Sequence, residues 1–96
     1  MPVYFIAQVD IHDQAGYDSY AQQAAASFAG LDAKVLAADD TPEVVEGKWH
    51  GPRTVMIEFA DEAEFHKWYD SPEYQQAAKT RWAATDSNAA LVKGLG

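Results

Sequence analysis

Val3-Tyr4-Phe5-Ile6-Ala7-Gln8-Val9-Asp10-Ile11 is rich in β-branched and aromatic residues and ends at the polar run His12-Asp13-Gln14, the pattern of a β-strand. Because strand side chains alternate between two faces, Val3, Phe5, Ala7, Val9 and Ile11 share one side, and Tyr4, Ile6, Gln8 and Asp10 the other. Arg53 to Ala60, the clearest strand of the chain, repeats this with Val55, Ile57 and Phe59 against Thr54, Met56 and Glu58. Neither side is simply polar, so a sheet built from these strands needs cover on both faces. Helices supply one cover. On the other face Tyr4, Ile6 and Met56 would leave an apolar patch in water, and such patches mark interaction sites. A two-fold mate pressing sheet against sheet covers it with one self-complementary surface, so a homodimer is expected.

Outward from these strands the pattern alternates. Asp13 is placed to N-cap a helix whose apolar row is Tyr17, Tyr20, Ala21, Ala24, Ala25 and Phe28, with Gly30 supplying the positive φ that ends it. Ala33 to Ala38 reads as a short second strand, Asp39 to Pro42 as a turn, Glu43 to Trp49 as extended, and His50-Gly51-Pro52 as another turn. Asp61 caps the next helix, with Glu64 spaced for a capping box and Phe65, Trp68 and Tyr69 as its stripe. Ser71-Pro72 breaks that helix near Asp70 and starts another, because a proline disfavours helical dihedrals before it yet suits a first helical position. The new piece, Pro72 to about Ala84, is expected to bury Tyr74, Ala77, Ala78 and Trp82, and Asn88 to Leu95 to form the last strand. The order β-α-β-β-α-β is the split βαβ, ferredoxin-like arrangement of the α+β class: an antiparallel sheet with its helices on one face, here one domain over residues 1–96.

Composition narrows the partners. Fifteen acids against seven bases give a net charge of −8, a field that repels phosphate backbones and anionic lipid surfaces, so neither nucleic acid nor membrane is expected. With no cysteine, disulfides, thiolate metal sites and thiol nucleophiles are excluded, and a reducing cytoplasmic setting is expected. The apolar run Val3 to Ile11 is too short, and too polar at Gln8 and Asp10, for a signal sequence or a span. A chain of 96 residues buries only roughly two-thirds of its unfolded surface, which favours a partner subunit.

Several runs carry a resemblance. Tyr4-Phe5-Ile6-Ala7-Gln8-Val9 leads to Asp13 and Tyr17-Asp18-Ser19-Tyr20. Glu46-Gly47-Lys48-Trp49 and Arg53-Thr54-Val55-Met56-Ile57-Glu58-Phe59 follow, then Trp68-Tyr69-Asp70-Ser71-Pro72-Glu73-Tyr74 with Arg81 beyond it. In this order they resemble the bacterial family called domain of unknown function 1330, over essentially the whole chain. The resemblance implies a dimeric α+β barrel, two ferredoxin-like subunits closing their sheets around a shared interior. The superfamily holds small monooxygenases, isomerases, haem-dependent enzymes and plain ligand binders, so it implies small-molecule chemistry without naming a reaction. Its precedent is cofactor-free oxidation or isomerisation, with a Tyr, His66 or Glu58 as proton carrier. No histidine here matches an axial-ligand motif, and no cofactor is expected.

The residues themselves leave two roles open at each place. Glu46 and Arg53 bracket Gly47 to Pro52 and meet if that turn folds back as a hairpin. They then form an ion pair or, if it opens, an anchor for a substrate carboxylate. Trp49 either roofs a pocket or pins the hairpin to the partner. Tyr17, Tyr20, Trp68, Tyr69 and Tyr74 form a core stripe or the polar-tipped wall of a cleft. Arg81 is an anion clamp or pairs with an acid such as Glu58. His66 shares a helix face with Glu62 and Asp70, which reads as a solvated face, and no metal site is expected. No catalytic residue is assigned. The candidate ligand-binding set is Tyr17, Glu46, Arg53, Trp68, Tyr69 and Arg81. The expected function is to bind or transform a small, partly apolar, anionic metabolite between helices and sheet. The alternative is a non-catalytic dimeric interaction or stress-response module with a filled interior.

Overall fold

The computed structural model describes residues 1–95. Its elements are β1 (Val3–Ile11), α1 (Gln14–Ser27), β2 (Ala33–Asp39), β3 (Arg53–Phe59), α2 (Glu62–Tyr69), α3 (Pro72–Ala84) and β4 (Thr85–Lys93). The four strands form one sheet in the order β2-β3-β1-β4, and each neighbouring pair is antiparallel. β3 thus lies between β1 and β2, and β1 between β3 and β4, which is the interleaved split βαβ of the ferredoxin-like fold. The helix-facing side of β1 carries Val3, Phe5, Ala7 and Val9, all buried, as are Ile57 and Phe59 beside them on β3. Tyr4, Ile6, Met56 and Glu58 on the opposite side are only half covered.

Local chemistry accounts for the boundaries. Asp13 caps α1 by accepting the Gly16 N–H at 3.1 Å. Asp61 caps α2 by accepting the Glu64 N–H at 2.8 Å, but the expected reciprocal half of a capping box does not form. The Glu64 carboxylate instead accepts from Lys67 at 2.7 Å and from the Asp32 N–H at 3.2 Å. Helical residues divide at Asp70, as the Ser71-Pro72 pair requires: Ser71 caps α3 through the Tyr74 N–H, and Pro72 takes the first turn.

Three expectations are corrected. β4 starts at Thr85 rather than Asn88, because its ladder with β1 continues to the Ile11–Thr85 pair and the Thr85 hydroxyl donates to the Arg81 carbonyl at 2.7 Å. Trp82 is 49% exposed, because the inward row of α3 is Tyr74, Ala77, Ala78 and Arg81, spaced three and four apart, and Trp82 sits off that row. Residues 43–52 form neither strand nor tight hairpin. They cross the end of β1, where Gly51, at φ +64°, lies so close to the Val9 backbone that a Cβ would stand 2.5 Å from it. His50 Nε2 lies 2.9 Å from the Asp86 carbonyl oxygen of β4, and the Trp49 indole donates to Thr54 Oγ1 at 2.9 Å.

The core centres on Trp68, fully buried on α2. Its ring stacks on Phe28 at 4.9 Å and meets Tyr74 at 3.9 Å and Phe5 at 5.5 Å, while its N–H donates to Ser27 Oγ at 2.8 Å. One indole on α2 therefore ties the end of α1 and the start of α3 to the central strand β1. No described helix is long and apolar enough to cross a membrane.

Candidate ligand pocket

α1 packs chiefly on α3 and not on the strands below it. The reason is its small side chains: Ala21, Ala24 and Ala25 face the sheet and are too short to reach it. The gap is a pocket of about 390 Å³, floored by Phe5, Val55 and Ile57 and flanked by Ala33, Lys34, Val35 and Ala38 of β2. β2 is loosened on that side by a bulge, where the register slips between Val35 and Ala37. A pocket of this size between a helix and a sheet, mostly apolar with a few polar groups, is the usual form of a small-molecule site.

The polar groups lie in a row across the sheet, at the level of Val9. Arg53 and Ser87 both stand beside Val9 in the sheet, on β3 and β4 respectively, and share its helix-facing side. Arg53 Nε donates to the Tyr17 hydroxyl at 2.9 Å and Nη1 to Asp40 Oδ1 at 2.7 Å, with the guanidinium 5.4 Å from the Tyr17 ring centre. Burial pulls that guanidinium down in pKa, but its bonds to Asp40 and Tyr17 outweigh the effect and hold it above its ordinary value. Arg81 comes from α3 and lies 5.7 Å from the Tyr20 ring centre. It is 4% exposed, and its Nη1 donates to Ser87 Oγ at 2.9 Å. Arg81 Nε has no hydrogen-bond partner, the one such buried side-chain nitrogen or oxygen among the described residues. No carboxylate pairs with this cation in the described structure.

Tyr20 lines the pocket as well, and its hydroxyl lies 2.9 Å from that of the fully buried Tyr74. Burial, joined by the neighbouring Tyr74 phenol, pushes Tyr20 far above the ordinary phenol range. Burial also raises Tyr74, against the opposing pull of the Arg81 charge. Both phenols are therefore O–H groups at neutral pH, suited to donate rather than to abstract a proton.

Of the six candidates read from sequence, Tyr17, Arg53, Trp68 and Arg81 line this pocket. Glu46 and Tyr69 do not. Glu46 is exposed in the 43–52 segment, carried away because that segment crosses the end of β1. Arg53 pairs instead with Asp40, which follows Asp39, the register partner of Thr54. Tyr69, half-buried, stacks on Phe65 at 5.3 Å against the edge of the core. The suggested Arg81–Glu58 pair is absent because Glu58 pairs with Tyr4 on the side of the sheet away from α3. His66, bonded to Asp70 at 3.1 Å on α2, also lies outside the pocket, and Glu62 turns to Lys93 at 3.3 Å. Sequence reasoning missed Asp40 and Ser87, which are partners only through strand register. It underrated Tyr20, whose three-residue spacing from Tyr17 was the available signal.

A family model described as Domain of unknown function (DUF1330) matches residues 2–95. No curated protein shows a significant match. Among solved structures, the RPA0582 protein of unknown function from Rhodopseudomonas palustris is similar, with 22% identity over 99% of this chain and 83% of that one, at TM-score 0.82. SnoaB, a cofactor-independent oxygenase from Streptomyces nogalater, shares 18% identity over 99% of this chain and 94% of its own, at TM-score 0.69. A dimeric ferredoxin-like protein of unknown function from Thermobifida fusca shares 16% identity over 98% and 92% of the two chains, also at TM-score 0.69. At these identities the likeness is one of fold.

Proposed function

The chain belongs to the family of domain of unknown function 1330, and from that premise we propose that it binds a small, partly apolar, anionic metabolite between α1 and the sheet. Arg81 carries this reading. A guanidinium stays charged at any physiological pH, and a charge removed from water costs several kcal/mol (order of magnitude) unless something pairs with it. Here a neutral hydroxyl is its hydrogen-bonding partner, and Nε is left free. An anionic ligand entering the pocket supplies the missing partner, while the alanine and valine walls take its apolar part. Tyr17, Tyr20 and Arg53 add further donors to the lining.

The working unit in this reading is a homodimer that covers Tyr4, Ile6 and Met56, consistent with the dimeric ferredoxin-like neighbours. The absence of cysteine fits a cytoplasmic setting. Transformation of the ligand is the second reading, supported by the phenol pair beside Arg81 and by the fold shared with SnoaB. The pocket is lined by no histidine or carboxylate, so its own contribution would be to hold and stabilise an anion through O–H and N–H donors. Mass spectrometry of small molecules retained by natively purified protein tests the proposal. Wild type should carry an anionic compound that Arg81→Met lacks; identical retention by both proteins would overturn it.

A further inference from the structure

We infer that the pocket takes a two-headed ligand, an apolar linker with an anionic group at each end, one head on Arg81 and the other on Arg53. This rests on the reading of the pocket as an anion site and narrows its ligand to dicarboxylates or their chemical equivalents. Both guanidiniums line the same cavity, and each lies over a tyrosine of α1, Tyr17 for Arg53 and Tyr20 for Arg81. Their positions follow from register. Arg53 on β3 and Ser87 on β4 flank Val9 of β1, and Arg81 is bonded to Ser87. Arg53 and Ser87 are therefore two strand spacings apart, about 10 Å, with Val9 between them.

The two cations differ in how they are held. Arg81 is buried and has no acid partner among the described residues. Arg53 is paired, but its partner Asp40 is 73% exposed just past the end of β2, a strand that lines the pocket. An ion pair of that kind has little net strength in water, so a ligand carboxylate can replace Asp40 on Arg53 with little loss. Arg53 keeps its bond to the Tyr17 hydroxyl meanwhile and stays aimed by it. Arg81 is thus the anchor that any anion needs, and Arg53 the group that distinguishes two heads from one.

Calorimetric titration of the full chain with azelate and with nonanoate tests this, the two acids having equal carbon count and differing in the second carboxylate. Wild type should bind azelate at least about tenfold more tightly than nonanoate. Arg53→Gln should abolish that advantage, bringing azelate down to the affinity of nonanoate, Arg81→Gln should remove binding of both, and Asp40→Asn should tighten azelate alone. Circular dichroism establishes that each variant is folded, and Arg53→Met serves where Arg53→Gln is not. Equal affinity for the two acids, dependent on Arg81, would overturn the two-headed ligand and leave the anion pocket standing. Binding independent of Arg81, or no binding of either acid to wild type, would overturn the anion pocket with it.

Discussion

The hydroxyls of Tyr20 and Tyr74 meet at 2.9 Å between α1 and α3, so one phenol donates and the other accepts. Tyr74 is fully buried, and removing either hydroxyl leaves the other without its partner. Tyr20→Phe and Tyr74→Phe should each cost about 1–3 kcal/mol, and the double variant less than the sum. Urea unfolding of the four proteins checks this; strict additivity would mean that the two groups are satisfied separately.

The same pair sets a response to alkaline pH. Both phenols have folded pKa values raised above the ordinary 10.0 of an exposed tyrosine, by burial first. The unfolded chain therefore releases these protons first, so the stabilising contribution is complete below about pH 10 and is lost as pH rises through the folded values. Urea midpoints at about pH 8, 9.5 and 11 should stay level and then fall, with a shallower fall in the double Phe variant. A parallel fall in both proteins would assign the effect to other groups.

Arg81→Met should make the ligand-free protein more stable, by about 1–4 kcal/mol, because it exchanges an uncompensated buried charge for an apolar side chain of similar length. The gain in thermal midpoint should accompany the loss of the retained anion, a trade of function for stability. A destabilised Arg81→Met would show that the charge is compensated in the ligand-free fold.

At Arg53 the structure separates two acids. Asp40→Asn should cost about 0–1 kcal/mol, as befits an exposed partner. Glu46→Gln should change stability by less than about 0.5 kcal/mol. Double-mutant cycles with Arg53→Met should then give coupling to Asp40 and none to Glu46. Coupling to Glu46 would restore the hairpin that residues 43–52 do not form.

Ile6 and Met56 are register partners on the sheet face away from the helices. Ile6→Asp with Met56→Asp should convert a dimer into a folded monomer, read by light scattering and circular dichroism. A wild-type protein that already scatters as a monomer would refute the covering of this face by a second copy.

Strand identity, the helix break and the order of elements were legible in the chain, because each is set by a few neighbouring residues. Alternation in Val3 to Ile11 and Arg53 to Phe59 carries the strands, and the Asp13, Asp61 and Ser71 caps with Pro72 carry the helix starts. Tyr17, Arg53, Trp68 and Arg81 lie on the inward rows of their elements, and these four line the cavity. Trp82 misled because a three-residue and a four-residue step from Ala78 fall on the same helix face, only the latter is apolar, and the inward position fell to Arg81.

By itself, then, the sequence determined what a 2.0 or 3.6 residue period can express: which residues form elements and which side of each turns inward. Only the tertiary structure decided which inward residues meet. Whether Arg53 finds Glu46 or Asp40 depends on the path of residues 43–52 across β1 and on the register of β2 with β3. That Arg81 reaches Ser87 rather than Glu58 depends on which face of the sheet α3 covers. Contacts between distant elements are fixed by packing three-dimensional surfaces together, and a lone buried guanidinium looks in sequence like any other arginine on a helix.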